Sequence, residues 1–290
     1  MRAKIDLHMH SHWSDGELSP EELIRECKKL NLKIVSLTDH ETVWGVEEAI
    51  QKGQEIGVTV IPGIEFSCNF NNEEHHILGY FIDYKNAELL EFLREVGRRR
   101  RERFLKMIEK IKGLGFEVEY SDAKKYAKGV LARPHLARAV IKNEKNLPLL
   151  NELGIDTKYE RGFFKRYLAE GKEAYVDWER PDIFEIISLI KKLGGIAIWA
   201  HPLWKSKSLK KVKKSLAEFK KAGLAGIEVF YPWHSGWQTK KLYQISKEFN
   251  LLVSAGSDFH SFAFNMYSRI FAWKGYGIKE KFEWLTRQNS

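Results

Sequence analysis

The sequence predicts an α/β fold, most simply a closed barrel of parallel strands with helices on the outside. Short apolar runs alternate with amphipathic helical patterns, which indicates parallel strands joined by right-handed crossovers. Seven strand-like runs occur, and histidine or acidic residues accompany them, as expected when an active site lies at the carboxyl end of a barrel. An open doubly wound sheet is the alternative, but it would not readily bring residues from the first, third and last strands together.

The N-terminal part of the chain contains four of the predicted strands and two helices. Residues Ser19–Glu22 form a capping box with proline at the first helical position, so a helix is expected to begin there. Leu23, Ile24, Cys27 and Leu30 recur at helical spacing and should form its buried stripe. The strands are predicted at residues 3–7, 34–38, 58–64 and 75–81, and the second helix at 45–56.

The alternation stops between residues 87 and 171, where helical patterns follow one another with almost no strand signal. We therefore predict a barrel at 1–86 and 172–290 and a helical insertion subdomain at 87–171. The first helix of the insertion, at 89–112, carries a basic run. The remaining strands are predicted at residues 196–200, 226–230 and 251–255, and the remaining helices at 182–193, 209–222 and 238–249.

A chain of 290 residues with 43% hydrophobic residues can bury a large core, which argues against a disordered protein. No apolar run approaches the roughly 20 residues that span a bilayer, and the first residues lack the apolar region of a signal peptide. We expect a cytoplasmic protein with no membrane partner and with Cys27 and Cys68 as free thiols. The net charge of +9 favours anionic partners, although a heat-adapted protein rich in Lys and Glu is an open alternative.

Residue types that bind metals accompany the predicted strands. His8 and His10 are two positions apart, so both leave the end of the first strand on the same face and can bind one ion. Imidazole and carboxylate ligands without cysteine suit zinc, manganese or iron(II) and argue against a closed structural zinc site. The other candidates are Asp15, Asp39, His40, Glu65, His75, His76, His201, Asp258 and His260.

These motifs resemble those of the PHP (polymerase and histidinol phosphatase) family. The matching segments are Asp6–Ser11 with Asp15 and Gly16, Thr38–His40, Gly63–Glu65, His76, Ala200–Pro202 and Gly256–His260. The resemblance implies a distorted (β/α)7 barrel that holds two or three divalent ions of manganese, zinc or iron. It also implies hydrolysis of phosphate esters, for which metal ions about 3.5–4 Å apart can share a hydroxide.

The resemblance further implies which residues hold each ion of a trinuclear site. The first ion would be held by His8, His10, Glu65 and Asp258, the second by Glu65, His76 and His201, and the third by Asp15, His40 and His260. Asp39 is better placed to orient a ligand histidine, or to act catalytically as a proton donor, than to bind metal. His76 is preferred to His75 because the family pattern places the ligand directly before the Ile-Leu-Gly run, but His75 stays an alternative.

Substrate contacts are predicted mainly in the insertion. Pro134 would begin a helix whose free N–H groups attract an anion, and Arg133 beside it would bind a phosphate. An ordinary helix start with an exposed arginine is the alternative. The segment Ala132–His135 is similar to a signature of the PHP subgroup that acts on nucleotide and RNA phosphates. This similarity favours substrate binding by Arg133 and a catalytic or substrate-binding role for His135.

Two further features give weaker predictions. His234, in the aromatic loop after the sixth strand, is a candidate for phosphate contact. The basic run Arg98–Arg103 could bind an RNA backbone. Its six positions cover more than one helical turn, however, so they cannot all face one ligand. Such a run is more often a solvated helix face.

The sequence therefore predicts a metal-dependent phosphoesterase that acts on nucleotides. It would remove phosphate from a nucleoside 3′,5′-bisphosphate, trim short RNA from its 5′ end as an exoribonuclease, or do both. Its partners would be nucleotide or short RNA substrates, with no stable protein partner implied. Histidinol phosphatase is the alternative within the family, disfavoured by the insertion and the basic charge. A non-catalytic nucleic-acid-binding module is the alternative of another class, disfavoured because every ligand position is filled.

Overall fold

Seven strands form one sheet in the order in which they occur along the chain. They belong to a computed structural model that describes residues 5–205, 208–262 and 282–285. Residues 3–4 of the first predicted strand, and residues 263–281 and 286–290 of the predicted barrel, lie outside the described residues. The strands are β1 (Ile5–Asp6), β2 (Ile34–Leu37), β3 (Thr59–Phe70), β4 (Glu73–Tyr80), β5 (Ile196–Trp199), β6 (Gly226–Phe230) and β7 (Leu252–Ala255).

The sheet closes into a barrel because the chain around β1 runs beside the chain around β7. The backbone N–H of Leu7 donates to the carbonyl of Ala255 at 2.9 Å, and that of Asp258 donates to the carbonyl of His8 at 2.8 Å. Met9 and Phe259 continue this pairing as a parallel bridge. The predicted barrel of seven strands is therefore confirmed, and the alternative of an open sheet is wrong.

One strand departs from the predicted all-parallel arrangement. β4 pairs antiparallel with both β3 and β5, whereas the other neighbouring strands pair in parallel. Asn71 and Asn72, with φ values of 52° and 61°, connect β3 directly to β4, as in the two-residue hairpin turns that favour asparagine. Because the hairpin reverses the chain, the N-terminal half of β4 lies at the barrel end where its neighbours have their carboxyl ends.

The helices largely follow the predicted boundaries. Ser19 and Glu22 form the predicted capping box, in which the Ser19 hydroxyl accepts from the Glu22 N–H at 3.2 Å. Leu30 was expected in the buried stripe of this helix but is 49% exposed, because the helix ends before it. The helices are α1 (Pro20–Lys29), α2 (Val46–Ile56), α3 (Ala87–Gly113), α4 (Tyr120–Lys124), α5 (Arg133–Ile141), α6 (Leu147–Glu152), α7 (Arg161–Phe163), α8 (Ile183–Lys192), α9 (Leu209–Ala222) and α10 (Gly236–Glu248).

The helical region from α3 to α7 has a hydrophobic core of its own. The start of α3 packs Leu89 and Leu93 against the core of the barrel, whereas its later turns pack Phe104, Met107 and Ile108 against α5 and the segments around it. This second core supports the proposed division into a barrel and an insertion at 87–171. Within the described residues, no helix is both long and apolar enough to cross a membrane.

Candidate metal centre

The candidate metal ligands converge on one end of the barrel. Residues 8 and 10 follow β1, residue 201 follows β5, and residues 258 and 260 follow β7. Glu65 was expected to follow the third strand but lies inside it, because β3 continues to Phe70 to pair with β4. His76 is near the start of β4, and the antiparallel course of that strand brings it to the same rim.

Glu65 lies at the middle of this cluster and is fully buried. Its Oε2 lies 3.2 Å from ring nitrogens of His8, His10 and His40, and its Oε1 lies 2.9 Å from His76 Nδ1 and 3.1 Å from His201 Nε2. Burial acts to raise the pKa of Glu65, but the surrounding histidines, His8 above all, lower it well below its usual value. One ionised carboxylate thus lies close to five imidazole rings.

Three sets of ligand atoms lie close enough together to hold a metal ion. They are His8, His10, Glu65 and Asp258; His10, Asp15, His40 and His260; and His40, Glu65 and His76. The first set coincides with the first set implied by the family resemblance. The second adds His10 to the implied third set. The third contains His40 where the resemblance implies His201. His40 contacts Oε2 of Glu65, whereas His201 contacts Oε1.

The chemistry of these atoms fits divalent metal ions. His8 Nε2, His10 Nε2, His40 Nδ1, Glu65 Oε2 and Asp15 Oδ1 are buried and have no hydrogen-bond partner among the described residues. A buried polar atom without a partner costs about 1–3 kcal/mol, so five of them in one cluster fit the coordination of metal ions. Imidazole nitrogens and carboxylate oxygens are the donors that zinc, manganese and iron(II) accept. The residues present could therefore hold such ions.

Several buried groups orient the candidate ligands from behind. Glu228 is fully buried, and its Oε1 lies 3.0 Å from His8 Nδ1, while its Oε2 accepts from the His201 N–H at 2.8 Å. The Tyr231 hydroxyl donates to Asp258 Oδ2 at 3.0 Å. Sequence reasoning assigned no role to Glu228, although an acidic residue inside an otherwise apolar strand was a usable signal.

Asp39 lies behind the cluster, outside all three ligand sets. Its carboxylate accepts from the Ser11 N–H at 2.7 Å, the Ser11 hydroxyl at 2.6 Å and the Ser14 hydroxyl at 2.6 Å. The Ser14 oxygen is also 3.5 Å from His10 Nδ1. Burial raises the pKa of Asp39. This placement supports the predicted orienting role, because Asp39 fixes the serine that contacts a candidate ligand.

The two adjacent histidines of β4 face opposite sides of the strand, as side chains of successive strand residues do. His76 faces Glu65, and its Nε2 lies 3.6 Å from Glu74. His75 faces away and packs against Phe70 and Trp199, with ring centroids 5.9 Å and 5.4 Å apart. Only His76 therefore belongs to the cluster.

His135 and His234 make contacts with the protein backbone. His135 Nδ1 accepts from the Ala132 N–H at 3.0 Å and so caps α5, and burial lowers the pKa of His135 to about 4. His234 Nδ1 donates to the carbonyl of Val229 at 3.1 Å. Neither residue lines the pocket described next, so their predicted roles with substrate stay predictions.

A pocket opens between the metal-ligand cluster and the helical insertion. On the barrel side it is lined by Asp15, His40, His76, His201, Asp258 and His260. Facing them on the insertion side are three arginines, Arg100, Arg103 and Arg133, which we call the arginine wall. The aromatic side chains of Phe164, Trp178 and Trp204 also line the pocket, as does the acidic Glu74, which pairs with Arg180 at 3.1 Å.

The basic run of α3 divides between this pocket and solvent. Arg100 and Arg103 are one turn apart and face the pocket. Arg100 pairs with the buried Glu41 of the barrel. Arg98 pairs with glutamates on the outer face of the helix, while Arg101 lies over Tyr120. The expectation that the six positions cannot share one ligand is therefore met.

A barrel that gathers histidines and carboxylates around one glutamate at its rim, beside a cationic pocket, defines a hydrolase of the metal-dependent phosphoesterase class. Comparison with known proteins then gives the family. Residues 6–222 match the PHP domain, and the chain belongs to the PHP domain family.

Relatives with known names cover most of the chain. It is 35% identical over 260 residues to the 5′-3′ exoribonuclease of Haemophilus influenzae. The matched region covers 90% of this chain and 91% of the relative. It is 29% identical over 261 residues to the 3′,5′-nucleoside bisphosphate phosphatase of Chromobacterium violaceum, with coverages of 89% and 88%. A Bifidobacterium adolescentis protein described as a metal-dependent phosphoesterase superposes with a TM-score of 0.77 at 26% identity, over 89% of this chain and 87% of that one.

Proposed function

We propose that this protein hydrolyses phosphate esters at the ends of nucleotides, by removing phosphate from nucleoside 3′,5′-bisphosphates, by trimming RNA from its 5′ end, or by both. The observation that carries the proposal is one pocket with candidate metal ligands on one side and the arginine wall on the other. The metal side suits the phosphate that is cleaved, and the arginine wall suits a second anionic group of the same substrate. The exoribonuclease and bisphosphatase relatives act on substrates with this charge pattern.

The arginine wall is an anion site in its chemistry. Arg103 is 9% exposed, and its Nε donates to the carbonyl of Val176 at 2.6 Å. Its Nη2 is buried and has no partner within residues 5–205, 208–262 and 282–285. Burial, followed by the neighbouring charges of Arg133 and Arg100, lowers the pKa of Arg103 to about 10. Three guanidinium groups that repel one another in a partly dry pocket favour a bound phosphate, because it would supply the missing opposite charge.

The aromatic lining suits a nucleobase. Trp178 lies under the guanidinium groups of Arg100 and Arg180, at 5.7 Å and 5.6 Å from its ring centroid. Trp204 is 47% exposed, and its ring lies 5.0 Å from that of His76. An exposed indole next to a phosphate site can stack a base of any sequence. A substrate such as histidinol phosphate would use neither the second anion site nor this stacking surface to the same extent.

We propose that two or three ions of manganese, zinc or iron(II) occupy the cluster. Their ligands would be His8, His10, Asp15, His40, Glu65, His76, His201, Asp258 and His260. Such ions supply Lewis-acid polarisation of the phosphoryl oxygens and of water. The protein orients the ligands: Glu228 fixes His8, and Asp39 acts on His10 through Ser14. Arg133 would hold the second phosphate, as its place in the arginine wall suggests.

The test is a direct comparison of substrates. Protein stripped of metal and reloaded with manganese, zinc or iron(II) would be offered a nucleoside 3′,5′-bisphosphate, a short 5′-phosphorylated RNA and histidinol phosphate. We expect release of phosphate from the first substrate, of 5′-mononucleotides from the second, or both. A higher kcat/KM for histidinol phosphate than for either nucleotide substrate would show the proposal to be wrong.

A further inference from the structure

A second groove leaves the metal pocket beside Trp204. The groove and the pocket share four lining residues, Glu74, His76, His201 and Trp204. The groove has a volume of about 200 Å³ and runs between the β3–β4 hairpin and the start of α9. The two depressions adjoin at these four residues, so a chain held at the metal pocket would pass Trp204 to enter the groove.

The floor of the groove is aromatic. Phe70, His75 and Trp199 lie in it, and His75 contacts each of the other two rings edge to face. Two acidic residues of the groove are already paired, Glu73 with Lys211 at 3.4 Å and Glu74 with Lys205 at 3.2 Å. The main ring surface that the groove offers to a ligand is Trp204, which is 47% exposed, whereas Phe70 and Trp199 are buried. Much of the negative charge of the groove is balanced internally.

A stripe of lysines on α9 continues from the groove. Lys214 lines the groove, and Lys210 and Lys221 lie on the same helical face, at spacings of four and seven residues from it. All three are exposed, and no carboxylate of the described residues forms an ion pair with them. The opposite face of α9 buries Val212, Leu216 and Phe219 against the barrel.

The other lysines of α9 differ from this stripe because each of them contacts an oxygen of the protein. Lys211 pairs with Glu73, and Lys213 pairs with Glu248 at 2.5 Å. Lys220 donates to the carbonyl of Phe249. The stripe of Lys210, Lys214 and Lys221 spans roughly 16 Å along the helix axis at 1.5 Å per residue. It is a row of three positive charges that passes the groove at Lys214, with one acidic residue, Glu218, between Lys214 and Lys221 on the same face.

We infer that the groove and the lysine stripe bind the downstream part of a single-stranded RNA whose 5′ end lies in the metal pocket. This inference rests on the proposed function. The first unpaired base of the RNA stacks on Trp204, as bases do on exposed rings. Its backbone phosphates then follow the stripe and release counterions. A mononucleotide ends inside the metal pocket and does not reach the stripe.

The test removes the charge of the stripe and leaves the metal pocket intact. The variant Lys210→Gln, Lys214→Gln, Lys221→Gln keeps good helix formers on α9. The matched control Lys28→Gln, Lys29→Gln, Lys33→Gln removes the same charge from exposed positions at and after the end of α1. Both proteins, with metal bound, would be assayed on a nucleoside 3′,5′-bisphosphate and on a 5′-phosphorylated RNA of twelve nucleotides, with helix content checked by circular dichroism.

We expect the stripe variant to raise KM for the RNA by roughly tenfold and to reduce the slope of log KM against log salt by about 2, since each lost phosphate contact of a single strand is worth about 0.7. Its kinetics on the bisphosphate should equal those of the unmodified protein, and the control should change neither substrate. An unchanged KM for RNA, an equal effect of the control, or a parallel loss on the bisphosphate would each overturn the inference. If the unmodified protein cleaves neither substrate, the proposed function itself fails, which is a different result.

Discussion

The metal rim of the barrel and the arginine wall of the insertion face each other across one pocket, yet their charges differ. The rim combines carboxylates with imidazoles, whereas the wall consists of guanidinium groups. At the rim, Glu65 lies within hydrogen-bond distance of several histidines, and buried nitrogens and oxygens point at common positions. At the wall, Arg100 pairs with Glu41, whereas Arg103 and Arg133 form no ion pair with a carboxylate in the part of the chain that the structure describes.

This difference shows what each side lacks. The rim has ligand atoms of mixed type whose burial is costly without cations between them. The wall has like charges whose burial is costly without an anion. A substrate that brings phosphate to both sides would satisfy the wall directly and the rim through bound ions. Each of the following predictions alters one side and asks whether the other responds.

The largest effect is expected at the centre of the rim. Glu65→Gln keeps the size of the side chain but removes the charge that faces five imidazoles. We expect kcat to fall by at least about 10³-fold, the scale of losing a main electrostatic contribution to catalysis, together with loss of bound metal in elemental analysis. Glu248→Gln, on the surface, is the matched control. Full activity and metal content in Glu65→Gln would remove Glu65 from the metal centre.

A smaller and more selective effect is expected at the arginine wall. Arg103→Met should raise KM for a nucleoside 3′,5′-bisphosphate by roughly 10- to 100-fold, because a charge-assisted hydrogen bond is worth about 1.5–3 kcal/mol. Metal content should not change. Arg98→Met, on the outer face of the same helix, is the control. If Arg103→Met instead lowers kcat with KM unchanged, the wall does not bind the second phosphate in the ground state.

His260 at the rim and His135 beside the wall have pKa values shifted in opposite directions. Burial lowers the pKa of His260, but Asp15 and Asp258 outweigh it and raise the value to about 10. His135, beside the wall, has a pKa of about 4 because burial prevails. At His135 the unfolded chain, with a histidine pKa near 6.5, binds more protons than the folded chain between about pH 4 and pH 6.5. The stability contributed by neutral His135 is thus present above about pH 6.5 and is lost as the pH falls toward 4.

His135→Asn tests this linkage, because asparagine can still accept the hydrogen bond from Ala132 but does not titrate. Between pH 7.5 and pH 5 the unmodified protein should lose about 2 kcal/mol more of its free energy of unfolding than the variant. Urea unfolding at the two pH values measures the difference. Identical losses in the two proteins would mean that His135 is protonated in the folded state at pH 5.

The smallest effect is expected behind the rim. Ser14→Ala breaks the contact through which Asp39 acts on His10. We expect metal affinity to fall by about 10-fold, at the low end for groups that orient a ligand, measured by competition with a chelator. Activity should recover at saturating metal, which serves as the internal control. An unchanged metal affinity would show that Asp39 does not orient His10.

Much of the barrel could be predicted because its signals are local. The helix bounds at α9 and the strand bounds at β6 match the prediction residue for residue. The reversed β4 was missed because an alternating rhythm suggested a further parallel strand. Asn71-Asn72 was a local signal for a hairpin, and it explains why His76, at the start of its strand, shares a rim with residues at the ends of others.

The candidate ligands were identified from residue type and position, but the groups behind and opposite them could not be identified in that way. Glu228 orients His8 across 220 positions of sequence, and no local pattern pairs them. Arg100 and Arg103 have helical spacing, yet only the docking of α3 onto Glu41 shows which face meets the pocket. Long-range packing decides these contacts.

The junction between β1 and β7 has a consequence for the folding of the protein during its synthesis. Asp258 meets His8 only after some 250 intervening residues have left the ribosome, and such distant contacts form late in folding. A nascent chain that ends before Asp258 lacks a member of the two ligand sets that contain Asp258 or His260, and metal uptake requires an assembled site. A stalled or truncated chain would therefore lack these two proposed sites, whatever the concentration of metal ions in the cell.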